Sequence, residues 1–123
     1  HGGGKSERSF IHIDDVNSAI IKILDKGTIG DTYHIATKNK ISIYNLVKKI
    51  SSMMNYDIED LIVNSKDRLG KDKNYFLNSD KIRDQLKWKD NIKLDKGLKK
   101  VINWASVNFS YLKNLKTSYE HKK

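Results

Sequence analysis

The sequence predicts an α/β fold with an incomplete sheet, and three observations lead there. Short β-branched or aromatic stretches alternate with segments of helical apolar spacing, beginning strand, helix, strand, helix. The strand-like stretches are few, two or three in 123 residues. Parallel strands need cover on both faces and neighbours on both sides, so the expectation is a piece that lies against a larger sheet, with about four helices of its own.

The elements follow in order. The entry from Gly2 to Glu7 is polar and glycine-rich, and Ser9 to Ile13 reads as a strand. Asp14 and Asp15 then offer an N-cap and a negative first turn. Val16, Ala19, Ile20, Ile23 and Leu24 fall on one helical face, which Gly27 ends. After a turn at Gly30, Thr32 to Ala36 reads as a second strand. Ser42 is a good N-cap for a helix whose face is Ile43, Leu46, Val47, Ile50 and Met54, with Asn55 as its stop. Leu61 to Val63 suggests a third strand. Asp67 to Asn74 is a charged loop around Gly70, and Tyr75 to Leu77 a brief extended segment. Asn78 or Ser79 can cap a short helix through Leu86. Leu94, Leu98, Val101, Ile102, Ala105 and Phe109 line a last helix running to about Leu112.

Composition narrows the function classes. No stretch reaches the length of a spanning apolar helix, and Cys is absent, which excludes disulfides and thiolate metal sites and fits a cytoplasmic location. The net charge of +9 invites a polyanion reading. Yet 21 of the 24 basic residues are Lys, and most are interspersed with acids, the pattern of a solvated surface. A partner nucleic acid or membrane is therefore not expected. There is no targeting segment, and His1-Gly2-Gly3-Gly4 opens without an initiator Met, which suggests a fragment.

Several motifs carry little weight. Gly2-Gly3-Gly4-Lys5-Ser6 resembles the end of a phosphate-cradling loop, but lacks the earlier Gly, and a strand follows where a helix is needed. Tyr44/Lys48 and Tyr119/Lys123 have the Tyr-x-x-x-Lys spacing of reductases. With six Tyr and 21 Lys, such matches arise by chance. Asp14 and Asp15 fit helix capping better than acid–base work. The four His are scattered without metal spacing, so no metal site is expected. Arg8 and Arg68 are different. They are two of only three Arg, and each sits in a glycine-containing polar loop beside a predicted strand. A guanidinium grips phosphate at two points, so two converging from separate loops would suit a diphosphate. Pairing of each Arg with its neighbour, Glu7 or Asp67, fits the sequence equally well.

Five ordered blocks carry a family resemblance over residues 1 to about 108. They are Gly2-Gly3-Gly4 with Arg8-Ser9-Phe10-Ile11-His12-Ile13-Asp14-Asp15-Val16; Gly27 to Ile35; Asp67-Arg68-Leu69-Gly70-Lys71-Asp72-Lys73-Asn74-Tyr75; Asp80-Lys81-Ile82 to Leu86-Lys87-Trp88; and Gly97-Leu98 to Trp104. Together they resemble the C-terminal, substrate-binding third of the extended short-chain dehydrogenase/reductases, the NAD-dependent epimerase/dehydratase family with its Rossmann-type NAD(P)-binding fold. The Asp-Arg-x-Gly-x-Asp loop points to the dTDP-glucose 4,6-dehydratase branch. His34, Leu69, Lys71 and Lys87 stand where that family has Asn, Pro, His and Gly, and the Asn that commonly contacts nucleotide near Ser42 has no clear match.

The resemblance implies a sugar-nucleotide lyase of polysaccharide biosynthesis, homodimeric as a whole enzyme. In such an enzyme a hydride leaves C4 of the sugar, water is eliminated across C5–C6, and the hydride returns to C6. It implies substrate-binding roles for Arg8, Asp67, Arg68, Leu69, Gly70 and Lys71. Arg8 and Arg68 would contact the diphosphate of a nucleotide-diphosphate sugar. The NAD-binding glycine turn and the catalytic residues fall upstream in this family, so residues 1–108 are expected to bind nucleotide sugar without binding NAD or turning over alone, and 109–123 to form a basic, frayed tail. A nucleotide-sugar 4-epimerase fragment and a stand-alone basic binding module are the alternatives.

Overall fold

The computed structural model describes residues 1–116 apart from 68, 69 and 71. It opens with a 3-10 turn over Gly2–Gly4, and all three glycines take positive φ. Three two-residue strands follow in the chain: β1 (Glu7–Arg8), β2 (Ile41–Ser42) and β3 (Asn74–Tyr75). The sheet order is β2-β1-β3, with β1 antiparallel to β2 (Arg8 opposite Ile41) and parallel to β3 (Arg8 opposite Tyr75). The helices are α1 (Ile13–Lys26), α2 (Ile43–Met53), α3 (Asp80–Leu86), α4 (Leu94–Val107) and α5 (Phe109–Lys113).

The α/β class holds, but the strands do not lie where composition suggested. Residues 9–12, 32–36 and 61–63 carry no ladder among the described residues. A β-branched stretch still needs a neighbour for its N–H and C=O groups. In residues 32–36 side chains take that part: the Ala36 carbonyl accepts from Ser79 Oγ and from Arg83 Nη2, each at 2.9 Å. Residues 59–61 form a turn, with Leu61 and Val63 exposed. The ladder forms one step earlier than expected, at Glu7–Arg8, where two other segments come alongside. The last helix is two helices, broken at Asn108, whose backbone N–H and side-chain amide both donate to the Trp104 carbonyl.

Local signals at the helix ends hold better. Ser42 Oγ accepts from the Asn45 N–H at 3.1 Å, as an N-cap should. Gly27 ends α1, and Asn55, at φ 58, follows α2 in the left-handed region. For α1 the cap is not an aspartate: His12 Nδ1 accepts from the Asp14 N–H at 3.2 Å. Asp14 pairs with Lys100 of α4 at 2.8 Å.

Asp15 does something the sequence did not suggest. Only 3% exposed, its two carboxylate oxygens accept from the backbone N–H groups of Asn91 (3.0 Å) and Ile92 (2.9 Å). Its carbonyl accepts from Trp88 Nε1, whose ring lies under the Arg83 guanidinium. Around this knot sits the core of Ala19, Ile82, Leu86 and Trp88, with Ile11, Ile23, Tyr33 and Ile35 packed against it. The apolar stripe of α1 is therefore only partly covered: Ala19 is buried, while Ile20 and Leu24 are exposed.

Two stability changes follow. Asp15→Asn keeps one acceptor oxygen and turns an NH₂ toward a backbone N–H, so unfolding free energy by urea titration should fall by about 1.5–3 kcal/mol. Lys87 holds φ 50 directly after α3, a left-handed position where the resembling family has Gly. Lys87→Gly should raise stability by up to about 1 kcal/mol in the same assay, because the Cβ crowding there costs more than the added chain entropy of Gly.

Candidate functional site

The ladder at β1 gathers the segments that carry the candidate residues. The Ile43 N–H donates to the Ser6 carbonyl, the Glu7 N–H to the Lys73 carbonyl, and the Gly2 N–H to the Ser65 carbonyl. Gly2 lies so close to the Asp67 carboxylate that any Cβ there would collide with it, and a Cβ on Gly4 would sit 2.9 Å from the Tyr44 backbone nitrogen. The triglycine thus serves close packing against α2 and residues 65–67.

The two residues of β1 each brace a neighbour. Glu7 Oε2 lies 3.4 Å from Lys40 Nζ, on the β2 side. Arg8 turns its guanidinium to the β3 side, where Nη1 donates to the Glu7 carbonyl at 2.7 Å and Nη2 to the Asp72 carbonyl at 3.1 Å. These two bonds use two of the five N–H donors of a guanidinium. Arg8 is half-buried and pairs with neither Glu7 nor any other carboxylate within ion-pair distance among the described residues. It lines a small cleft of about 110 Å³ with Ser9, Ile35, Tyr75 and Leu77. Ser9 Oγ there is buried and has no hydrogen-bond partner.

Asp67 lines a different cleft of about 360 Å³, with Gly2, Lys5, Glu7, Lys73 and Asn74. Adjacent residues of a strand point to opposite faces, which accounts for Glu7 and Arg8 serving different clefts. Gly70 is exposed at φ 74, a conformation that favours glycine. Arg68, Leu69 and Lys71 lie outside the described residues.

A third cleft, of about 210 Å³, opens between residues 37–41 and 90–94, with Thr37, Asn39, Lys40, Asp90 and Lys93 around Phe10 and Ile11. From sequence, residues 38–40 and 87–93 read as loops. The one signal available was the Asn three positions before Ser42. Asp90 is fixed in this wall by Arg83 Nη2 at 2.5 Å. Burial pushes its carboxyl up, but hydrogen bonds from Arg83 and Thr37 outweigh that and hold it below the usual carboxylate range. Arg83, the one Arg given no role from sequence, also donates to Ser79 Oγ at 3.0 Å and to the Ala36 carbonyl.

The weaker motifs find plain structural places. Tyr44 lies in the first turn of α2 against Gly4, and Tyr119/Lys123 lies outside the described residues. His1 contacts Ser65 and the Lys66 carbonyl, and His34 is exposed. Among the described residues no three His, Asp or Glu side chains converge as a metal site. No helix among them is long and apolar enough to cross a membrane.

The model of a family described as GDP-mannose 4,6 dehydratase matches residues 1–101. The chain belongs to this family. Over 108 residues it is 33% identical to the trifunctional UDP-glucose 4,6-dehydratase/UDP-4-keto-6-deoxy-D-glucose 3,5-epimerase/UDP-4-keto-L-rhamnose-reductase of Arabidopsis thaliana, covering 88% of this chain and 16% of that protein. It is 32% identical over 121 residues to the dTDP-glucose 4,6-dehydratase of Mycobacterium tuberculosis, covering 98% of this chain and 36% of the enzyme. The crystal structure of dTDP-glucose 4,6-dehydratase from Bacillus anthracis in complex with NAD superposes with a TM-score of 0.83 at 28% identity, over 92% of this chain and 35% of that one. The chain thus spans about a third or less of the length of these relatives. The extended short-chain dehydrogenase/reductase assignment and its dehydratase branch are borne out, as is the α/β class.

The Arg83–Asp90 pair carries a pH prediction. A carboxyl depressed in the folded state stabilises above its unfolded pKa and loses that contribution as pH falls through its folded value. Asp90→Asn should therefore lower the urea midpoint most near about pH 7, and the gap from wild type should close toward about pH 3.

Proposed function

We propose that the chain is the nucleotide-sugar-binding part of an NAD-dependent sugar-nucleotide 4,6-dehydratase, a lyase. The observation that carries this reading is Arg8: a half-buried guanidinium without a carboxylate partner among the described residues, lodged where β1 meets the end of the Asp67–Asn74 loop. Its unused N–H donors offer the two-point grip that a diphosphate takes. Asp67, Arg68, Leu69, Gly70 and Lys71 form the loop over the nucleotide in this reading, with Arg68 as the second phosphate ligand.

The relatives named for UDP-glucose and dTDP-glucose, and a family described by GDP-mannose, share a nucleoside diphosphate joined to a hexose. A site built around the diphosphate suits that common element, whichever base is attached. NAD supplies the hydride chemistry in such an enzyme. The residues here do not fit it: Gly2–Gly4 forms a 3-10 turn leading into a strand, whereas a dinucleotide turn follows a strand and opens a helix. In this reading NAD and the catalytic residues belong to other parts of the enzyme, and these residues bind and orient the substrate.

Calorimetric titration of the full-length protein with dTDP and UDP tests the site. Arg8→Ala and Arg68→Ala should each weaken binding by about 1.5–3 kcal/mol, the range for hydrogen bonds to charged groups. Unchanged affinity in both variants would overturn the assignment.

A further inference from the structure

Arg8 is tied to the loop it would share a ligand with, and that connection has a consequence. Its Nη2 donates to the Asp72 carbonyl, two residues before the Glu7/Asn74 and Arg8/Tyr75 pairs of the β1–β3 ladder. The ladder is only two residues long, and Asn74 and Tyr75 are exposed. Among the described residues, the end of the loop is held by the short ladder with its Glu7–Lys73 hydrogen bond, the Asn74 side-chain amide donating to Glu7, and this guanidinium contact. A guanidinium is planar and rigid, so an anion that fixes its orientation also fixes the N–H aimed at Asp72.

We propose that Arg8 is a positioning residue that couples occupancy of the diphosphate site to the order of residues 72–75. The proposal rests on the diphosphate reading of Arg8 and extends it. Nη1 and Nη2 keep the Glu7 and Asp72 carbonyls while their second N–H groups and Nε take the phosphate oxygens, so each contact pre-organises the other. A lysine cannot reproduce this. Its ammonium provides charge at one point and cannot span both acceptors in a fixed plane.

Hydrogen–deuterium exchange on the full-length protein, with dTDP and UDP as probes, tests the coupling. In the wild type, saturating nucleotide should slow amide exchange at residues 73–75. Arg8→Lys should bind at least about tenfold more weakly, and at saturation should show no ligand-dependent slowing there. Without nucleotide, Arg8→Lys should match wild-type exchange outside residues 72–75, which separates the coupling from a simple loss of structure. Ligand-dependent slowing retained in Arg8→Lys, or binding to the wild type without slowing at 73–75, would overturn the coupling while leaving the binding reading intact. A wild type that binds neither nucleotide would overturn both.

Discussion

The buried carboxylate of Asp15 organises much of this structure. Removing a carboxylate from water is expensive unless hydrogen bonds replace the lost hydration. Here two backbone N–H groups from Asn91 and Ile92 do so, and they are themselves groups that the turn before α4 would otherwise leave unpaired. The exchange fixes residues 88–92 against the first turns of α1. Asp90 then faces Arg83, Trp88 packs between Arg83 and α1, and Lys93 starts α4 at the edge of a cleft. Gly97 completes the fit, because a Cβ there would press on the His12 ring that caps α1. One carboxylate thus ties the segment leading into α4 to the start of α1.

Arg83 and Arg8 show why a count of arginines cannot assign their roles. Both are half-buried, and both donate to backbone carbonyls. Arg83 also has a carboxylate at 2.5 Å, a hydroxyl and an aromatic ring, which leaves its fork committed inside the protein. Arg8 has carbonyls only. Carbonyls satisfy donors without neutralising charge, so Arg8 keeps its attraction for an anion and Arg83 does not. The difference lies in which residues reach them across the chain.

The same distinction separates what the sequence made legible from what it did not. Ser42, Gly27 and Asn55 were readable because a cap acts within a few residues of itself. The role of Asp15 was not, since its partners lie 76 and 77 positions away, and Arg83 joins the near Asp90 to the carbonyl of Ala36, 47 positions away. The aspartate pair looked like a local cap, and tertiary hydrogen bonds claimed both members. Strand composition misled for a related reason: Thr32 to Ala36 has the residues of a strand, but side chains of α3 and the residue before it take the Ala36 carbonyl. The clefts were least legible, because Asn39, Asp90 and Phe10 form one wall only after three loops have been folded together.

The small core places a physical limit on how the piece can work. Only five apolar side chains are buried among the described residues, while Ile20, Ile21 and Leu24 of α1 and Val101, Trp104 and Val107 of α4 remain exposed. Each such side chain gains about 1.5–3 kcal/mol when covered. Phe10 and His12 line a groove with Ile13 of α1 and Leu98 and Val101 of α4, and Phe10, Ile92 and Leu94 also line the polar cleft at Asn39 and Asp90. Because Phe10, Ile92 and Leu94 serve both surfaces, a contact that orders them in the groove also orders one wall of the polar cleft.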